Sequence, residues 1–191
     1  MPNKKTSKLF NVVILLILGA ALWLEYAPYI THWDEIAQVR RHTVALTGSK
    51  VTALLENEEK KPTLIFLYAS WCSNCAPVGQ ALLEMKKSHK LDDVNTVFIS
   101  LDEKPVEMAR YFVTNGYNAE FAPYMFQTDV PHALEQALVI AGSRYDGGVP
   151  YAGLFGGDGQ LLAERLDDFS QTAIATMLAT VRQSKAPAVI P

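Results

Sequence analysis

Residues 63–75 read TLIFLYASWCSNC, a continuous apolar run followed directly by two cysteines spaced C-x-x-C. Cys72 and Cys75 are the only cysteines among the 191 residues. The apolar run shows no alternation, which predicts a central strand buried on both faces, as parallel sheets require. Residues 78–90 have helical spacing, so we expect the two thiols where a buried strand runs into a helix.

Two thiols in this position are suited to thiol–disulfide exchange. The attacking species is a thiolate, and a helix N-terminus stabilises it through free N–H groups and the helix dipole. We therefore predict Cys72 as the nucleophile and Cys75, one helical turn further on and more buried, as the resolving thiol. The residues that flank this predicted site are Trp71, Ser73, Asn74 and Pro77. The helix should begin near Ser73 or Asn74, with Pro77 in its first turn.

The composition argues against nucleic-acid binding and against a metal site. The net charge is −3, from 17 basic and 20 acidic residues, which gives no electrostatic footprint for nucleic acid. The four histidines show no metal-ligand spacing, and a cysteine-based zinc site would lack two of its ligands. We predict no metal site and no cofactor. A purely structural disulfide is a poor alternative, because C-x-x-C closes too small a loop to stabilise a fold much.

The N-terminal segment predicts export. Residues 1–8 carry three lysines and form a cytoplasmic n-region, and residues 9–30 are predicted as a single transmembrane anchor of a bacterial inner membrane. Three aromatic residues suit the membrane interface: Trp23, Tyr26 and Tyr29. The alternative is a signal peptide cleaved near residues 19–21, which would release the domain as a secreted periplasmic protein. Both readings place the C-terminal domain in the periplasm.

The rest of the chain divides simply. Residues 31–41 are predicted as a juxtamembrane helix or linker, residues 42–183 as one α/β domain, and residues 184–191 as a flexible tail. Within the domain, residues 42–51 indicate a strand, a glycine turn and a second strand. Further predicted elements are a buried strand at 94–101, a helix from Pro105 closed by Gly116, an extended piece at 121–126, a helix starting at 129–131, a hairpin of 151–155 with 160–165, and a last helix at 170–182.

These motifs together resemble the thioredoxin superfamily and, within it, the membrane-anchored TlpA/ResA-like thiol–disulfide oxidoreductases. Residues 66–75 look like the family's strand and W-C-x-x-C active site, and residues 97–102 like its second core strand. Gly148-Val149-Pro150 followed by residues 157–159 resembles the proline loop and its hairpin, and residues 46–49 with 61–62 resemble the hairpin that begins the domain. The resemblance covers about residues 42 to 182.

The resemblance implies a thioredoxin-like fold, with a central mixed sheet and helices on both faces. It also implies that Pro150 is cis and faces the cysteines. Val149, the residue before it, would offer backbone groups to an extended substrate segment, as in β-strand addition.

The sequence departs from the family pattern at several positions. Thioredoxin carries a buried acid six residues before its first cysteine, where this chain has Phe66. Some members have a glutamate three residues after the second cysteine, where this chain has Val78, and the usual helix proline is replaced by Gln80. The proton acceptor for Cys75 is therefore not identified from the sequence.

The function that the resemblance implies is a periplasm-facing reductant of specific protein disulfides, for example in cytochrome c maturation. Its partners would be protein thiol or disulfide substrates and a membrane electron donor that re-reduces it. The alternatives are a non-catalytic binding or assembly factor, and an oxidant or isomerase of the same fold. A peroxidase fits less well, because Ala69 takes the place of the threonine that such enzymes use.

Overall fold

The structure, a computed structural model, describes residues 4–56, 59–127, 132–167 and 169–184. The helices are α1 Lys4–Thr31, α2 Trp33–His42, α3 Gly48–Leu55, α4 Cys75–Lys87, α5 Pro105–Thr114, α6 Ala133–Ile140 and α7 Gln171–Ser184, with a 3₁₀ turn at Tyr117–Ala119. The strands are β1 Val44–Leu46, β2 Thr63–Tyr68, β3 Asn95–Ser100, β4 Pro123–Phe126, β5 Tyr151–Phe155 and β6 Leu161–Arg165.

These strands form one mixed sheet in the order β1-β4-β3-β2-β5-β6. Strands β1, β4, β3 and β2 run parallel to one another. Strand β5 runs antiparallel to β2, and β6 runs antiparallel to β5. All six residues of β2 are buried, which confirms the prediction of a central strand covered on both faces. The carboxyl ends of β2, β3 and β4 therefore meet at one edge of the sheet.

Helices cover both faces of the sheet, as predicted, and each face has its own core. Leu64, Phe66 and Tyr68 of β2 point into a cluster built with α2, α4, α5 and α7. Ile65 and Leu67 point into a second cluster built with α3 and α6. Because β2 must be apolar on both sides, its sequence shows no alternation.

Phe66 lies in an aromatic group of the first core. Its ring is fully buried and meets Phe98 edge-on, with ring centroids 5.0 Å apart. Phe98 in turn contacts Tyr117 at 5.2 Å and Phe121 at 4.1 Å. The position where the resemblance expects a buried acid is thus filled by close aromatic packing.

Helix α4 lies close to Tyr117 because it has a glycine at the point of contact. A Cβ placed on Gly79 would lie 2.6 Å from the ring carbon Cζ of Tyr117, and closer still to its hydroxyl. The hydroxyl donates a hydrogen bond to the carbonyl of Ala76, in the first turn of α4, at 3.3 Å. Tyr117 therefore fixes the end of α4 that carries Cys75.

Replacing Gly79 by alanine should lower the free energy of unfolding by about 1–3 kcal/mol, the usual cost of overpacking a core. The better helix propensity of alanine, about 1 kcal/mol, offsets only part of it. Urea unfolding measures the change. Repeating the substitution in a Tyr117→Phe background should cost less, because the nearest atom is gone. An equal cost in both backgrounds would show that Tyr117 is not the obstacle.

The predicted second strand after the glycine turn is wrong. Residues 48–55 form helix α3, and β1 pairs in parallel with β4 and not with a strand next to it in sequence. Val51 and Leu55, four residues apart, lie on one helical face and are buried in the second core. The spacing of these apolar residues suits a helix better than a strand.

The N-terminal segment forms helix α1, and its side chains from Val13 to Leu24 are exposed. Within the part of the chain that the structure describes, no helix has the length and apolar character needed to cross a membrane. The predicted transmembrane span therefore receives no support here. Helix α2, in the stretch predicted as a helix or linker, buries Ile36 and Val39 in the first core.

The remaining predicted elements are present close to their expected limits. The predicted buried strand, the helix from Pro105, the hairpin and the last helix correspond to β3, α5, β5–β6 and α7. Gly116 follows the end of α5 with φ +72°, a left-handed conformation that favours glycine. The predicted helix start at 129–131 and the tail from residue 185 lie outside the described residues.

Candidate active site

The two cysteines lie in the turn between β2 and α4. The backbone N–H of Cys72 donates to the carbonyl of Ala69 at 3.1 Å, and that of Cys75 donates to the carbonyl of Cys72 at 3.1 Å. Helix α4 begins at Cys75, one or two residues later than expected, with Asn74 as its N-cap residue. Pro77 is the third residue of the helix and lies in its first turn, where it costs no hydrogen bond.

Cys72 and Cys75 form a disulfide, with an S–S distance of 2.06 Å and a Cα–Cα distance of 5.4 Å. Cys72 is 8% exposed and Cys75 is fully buried. An incoming sulfur can therefore reach Cys72 more easily than Cys75, which is the order that the sequence predicts for nucleophile and resolving thiol. Trp71, Ser73 and Asn74 are exposed around the pair.

Cys72 lies just ahead of the N-terminus of α4. The first N–H groups of a helix have no partner within it, and they carry the positive end of its dipole. Asn74 makes no side-chain cap that would occupy these groups. A thiolate formed on Cys72 is the negative charge that this helix end can stabilise.

A buried carboxylate holds the loop that leads into the cysteines. Asp102 is 2% exposed, and its Oδ1 accepts hydrogen bonds from the backbone N–H of Ser70 at 3.0 Å and from the Ser70 hydroxyl at 2.7 Å. Its Oδ2 accepts a hydrogen bond from the Ser100 hydroxyl at 2.7 Å. Ser70 stands two residues before Cys72, so Asp102 fixes the backbone that leads to Cys72.

Asp102 was not among the predicted site residues, although the sequence carries a signal for its role. Strands β2 and β3 are parallel neighbours, with Tyr68 paired to Ser100. Two residues further on, the same register brings Ser70 beside Asp102. A serine and an aspartate that each follow a buried parallel strand are candidates for a contact at the shared edge of the sheet.

Phe66 and Val78 occupy the positions where some relatives carry acids, and both side chains are buried and apolar, so neither position supplies a proton acceptor for Cys75. Tyrosines of the same core do not serve as proton acceptors either. Burial raises the pKa of Tyr68 well above its usual value, and burial also raises that of Tyr117. Their hydroxyls therefore stay protonated. Gln80, at the place of the usual proline, instead donates to the carbonyl of Asn115 at 2.9 Å.

The proline loop lies beside the end of β2. Leu67 pairs with Tyr151, so the antiparallel register brings Pro150 next to Tyr68. The Val149–Pro150 peptide bond is cis, as the resemblance implies. The side chain of Val149 packs against both cores, and the first of these contains Cys72 and Cys75. The loop and the cysteines thus belong to the same end of the sheet.

A second carboxylate, Glu164 of β6, contacts the segment before this loop, and its side chain is 5% exposed. Its Oε2 accepts a hydrogen bond from the Ser143 hydroxyl at 2.7 Å, and its Oε1 accepts one from Nε of Arg144 at 2.7 Å. Burial raises the pKa of Glu164, but the hydrogen bonds from Arg144 and Ser143 outweigh it, so that the pKa lies below its usual value. The carboxylate is therefore favoured in the folded protein.

This shift predicts an acid-sensitive contribution to stability. A lowered folded-state pKa stabilises the fold above the unfolded-state pKa, about 4.3 for glutamate, and the contribution disappears as the pH falls through the folded-state value. The difference in melting temperature between the wild type and Glu164→Gln should therefore be largest near pH 7 and shrink below about pH 4. Thermal unfolding from pH 7 to pH 3 tests this. A difference that does not change with pH would contradict it.

Comparisons with known proteins bear on the family and the fold. Residues 59–161, or 103 of the 191, match a family described as thioredoxin-like. A search of curated proteins gave no match.

Solved structures with a similar fold come from several bacteria. A thiol:disulfide interchange protein of the thioredoxin family from Chlorobium tepidum has 18% identity, covers 67% of this chain and 82% of its own, and gives a TM-score of 0.52. A putative thiol:disulfide interchange protein DsbE from the same organism has 20% identity, with coverages of 64% and 81% and a TM-score of 0.49. The exposed lipoprotein thioredoxin of Streptococcus pneumoniae has 18% identity, with coverages of 65% and 88% and a TM-score of 0.49. At 18% identity, the likeness to the first of these structures concerns the fold alone.

Proposed function

The chain belongs to the thioredoxin-like family, and from that premise we propose that it is a protein thiol–disulfide oxidoreductase acting through Cys72 and Cys75. One observation carries this proposal. The two cysteines form a disulfide at the junction of β2 and α4, with Cys72 the more accessible of the two. A reversible disulfide at a helix N-terminus is the arrangement that thiol–disulfide exchange requires.

The exchange proceeds in two steps from the reduced protein. The Cys72 thiolate attacks one sulfur of a substrate disulfide, whose S–S bond breaks and releases one substrate thiolate. Cys75, as a thiolate, then attacks the Cys72 sulfur of the mixed disulfide and releases the second substrate thiolate. The substrate gains two electrons, and the protein is left with the Cys72–Cys75 disulfide found in this structure. A donor must return two electrons before the next turnover.

In this proposal the exchange runs towards reduction, in the bacterial periplasm. The substrates are specific protein disulfides, such as those of apocytochromes c awaiting haem, and a membrane electron donor resets the pair. The support is the resemblance to the TlpA/ResA-like oxidoreductases and the lysine-flanked apolar segment at the N-terminus. Residues 9–30 serve as the export signal and inner-membrane anchor, with the cleaved, secreted form as the alternative.

The reduction potential tests the direction of exchange. The purified protein is equilibrated with dithiothreitol or glutathione buffers, and the oxidised fraction of the Cys72–Cys75 pair is read by alkylation and mass spectrometry. We expect a potential well below the value of about −120 mV that is typical of strong periplasmic oxidants. A value near −120 mV would contradict the reductant direction and favour the oxidant alternative. A pair that does not exchange with either buffer would contradict the oxidoreductase function itself.

Location is tested separately in cells. A membrane-impermeant maleimide added to intact spheroplasts should label the reduced cysteines, and fractionation should find the protein in the membrane fraction. Labelling only after lysis would contradict export. Labelling of a soluble, shortened protein would support the cleaved form.

A further inference from the structure

We propose that Glu164 is a positioning residue for substrate binding, which holds the Val149–Pro150 loop in place through a clamp on the segment before it. The clamp consists of Ser143, Arg144, Tyr151 and Glu164. This inference rests on the proposed function, because it assigns the loop to the binding of a polypeptide substrate.

The carboxylate of Glu164 accepts hydrogen bonds from three donors of one short segment, Ser143 and Arg144. Besides the Ser143 hydroxyl and Nε of Arg144, the backbone N–H of Arg144 donates to its Oε2 at 3.1 Å. The side chain of Glu164 is 5% exposed and Ser143 is buried, so water competes little for the bond between them. The Arg144 side chain is 79% exposed, so its bond is the more accessible to solvent. Hydrogen bonds to a charged acceptor are about twice as strong as those between neutral groups.

The same segment is tied to the strand on the other side of the loop. The hydroxyls of Ser143 and Tyr151 lie 2.9 Å apart, and the backbone N–H of Tyr145 donates to the Ser143 hydroxyl at 3.0 Å. The rings of Tyr145 and Tyr151 meet with centroids 4.9 Å apart. Tyr151 is the first residue of β5 and directly follows Pro150. The chain is therefore fixed immediately before and immediately after the proline loop.

Only a short arch remains between these two fixed points. It runs over residues 146–150 and contains Gly147, whose φ of +97° is a left-handed conformation that favours glycine. The N–H of Gly148 donates to Oδ1 of Asp146 at 3.2 Å. An arch with two adjacent glycines has little stiffness of its own, so its position depends on the packing of Val149 against both cores and on where its ends are held. Glu164 holds one of these ends through its hydrogen bonds from Ser143 and Arg144.

The consequence for binding follows from the cost of ordering a loop. A backbone that must pair with an extended substrate binds more tightly when it is already in place. Loosening the clamp should weaken the binding of a polypeptide. It should not change the chemistry of the cysteines, which are carried by β2 and α4.

The test compares a polypeptide disulfide with a small one. Glu164→Ala should raise KM for the reduction of insulin about tenfold and leave kcat within about twofold. With oxidised glutathione as substrate, and in the reduction potential of the Cys72–Cys75 pair, we expect no change beyond twofold. Glu164→Gln retains the length and a carbonyl oxygen for Ser143 but loses the charge and one acceptor oxygen, so its KM for insulin should lie between those of the wild type and Glu164→Ala. Glu107→Ala, which removes an exposed partner of Lys104, is the matched control and should leave both substrates unaffected.

The outcomes separate the positioning role from the alternatives. An equal loss with both substrates, a shifted potential, or an unchanged KM for insulin would overturn the role of Glu164. If Glu164→Ala fails to fold, Tyr151→Phe removes the hydroxyl bound to Ser143 and should raise the KM for insulin in the same direction. An unchanged KM in that variant would then overturn it. A wild-type protein that reduces neither substrate would instead refute the proposed function.

Discussion

Replacing Cys72 by serine should reduce the rate of protein disulfide reduction to the uncatalysed level, a loss of at least about 10³-fold. The hydroxyl of serine is not ionised near neutral pH and cannot take the place of the thiolate in attacking sulfur. The fold should be retained, because Cys72 lies at the edge of the first core, near the surface, and serine is nearly the same size as cysteine. Insulin reduction measured with dithiothreitol as the electron source gives the rate.

Two further measurements make this result specific. Cys75→Ser should keep the first attack but lose the release step, so the mixed disulfide accumulates. In cells, a Cys72→Ser strain should show the same defect as a deletion. If the strain behaves as wild type, the protein acts as a binding or assembly factor, and its cysteine pair is not the source of its function.

Replacing Asp102 by alanine should lower the free energy of unfolding by about 3–5 kcal/mol. The substitution leaves the N–H and hydroxyl of Ser70 and the hydroxyl of Ser100 without their charged acceptor in a buried site. Each such bond is typically worth about 1.5–3 kcal/mol, and the contributions are not additive. Urea unfolding of the oxidised protein measures the change.

The matched variants show whether the loss comes from this network. Ser100→Ala removes one donor and should cost about 1 kcal/mol. Asp102→Asn keeps the shape of the side chain and one acceptor oxygen. Its loss of unfolding free energy should lie between those of Ser100→Ala and Asp102→Ala. The loop before Cys72 should also become looser in Asp102→Ala, which slows disulfide exchange. A cost below about 1 kcal/mol for Asp102→Ala would contradict the claim that this carboxylate holds the loop.

Much of the fold could be predicted from the sequence, because its strongest signals are local. The unbroken apolar run of β2 indicates a strand that is buried on both faces of the sheet. The two cysteines after it indicate the junction between this strand and a helix. The glycine and proline signals gave the hairpin of β5 and β6 and the limits of α5. Residues 48–51 were wrongly predicted as a turn and a strand, because a short segment with one glycine resembles a turn. The helix that they form is instead stabilised by tertiary contacts with α6, which the local sequence does not show.

Part of the candidate site could also be predicted, because some of its residues have strong local signals. Cys72, Cys75 and Pro150 are recognisable from residue type and spacing. Asp102 and Glu164 are harder to predict, since acidic residues are usually solvated and only the folded arrangement of segments far apart in sequence brings these two to their partners. Their roles depend on which strands are neighbours. Asp102 reaches Ser70 across the β2–β3 pair, and Glu164 reaches Ser143 from β6.

Trapping the mixed disulfide tests the oxidoreductase proposal most directly. Reduced Cys75→Ser protein is mixed with a polypeptide that carries one disulfide, alkylated in acid to stop exchange, digested and mapped by mass spectrometry. We predict a covalent adduct through Cys72, no adduct in the Cys72→Ser/Cys75→Ser double variant, and release of the adduct by dithiothreitol. The absence of any adduct, or an adduct formed by Cys75 in a Cys72→Ser protein at the same rate, would contradict the assignment of Cys72 as the nucleophile.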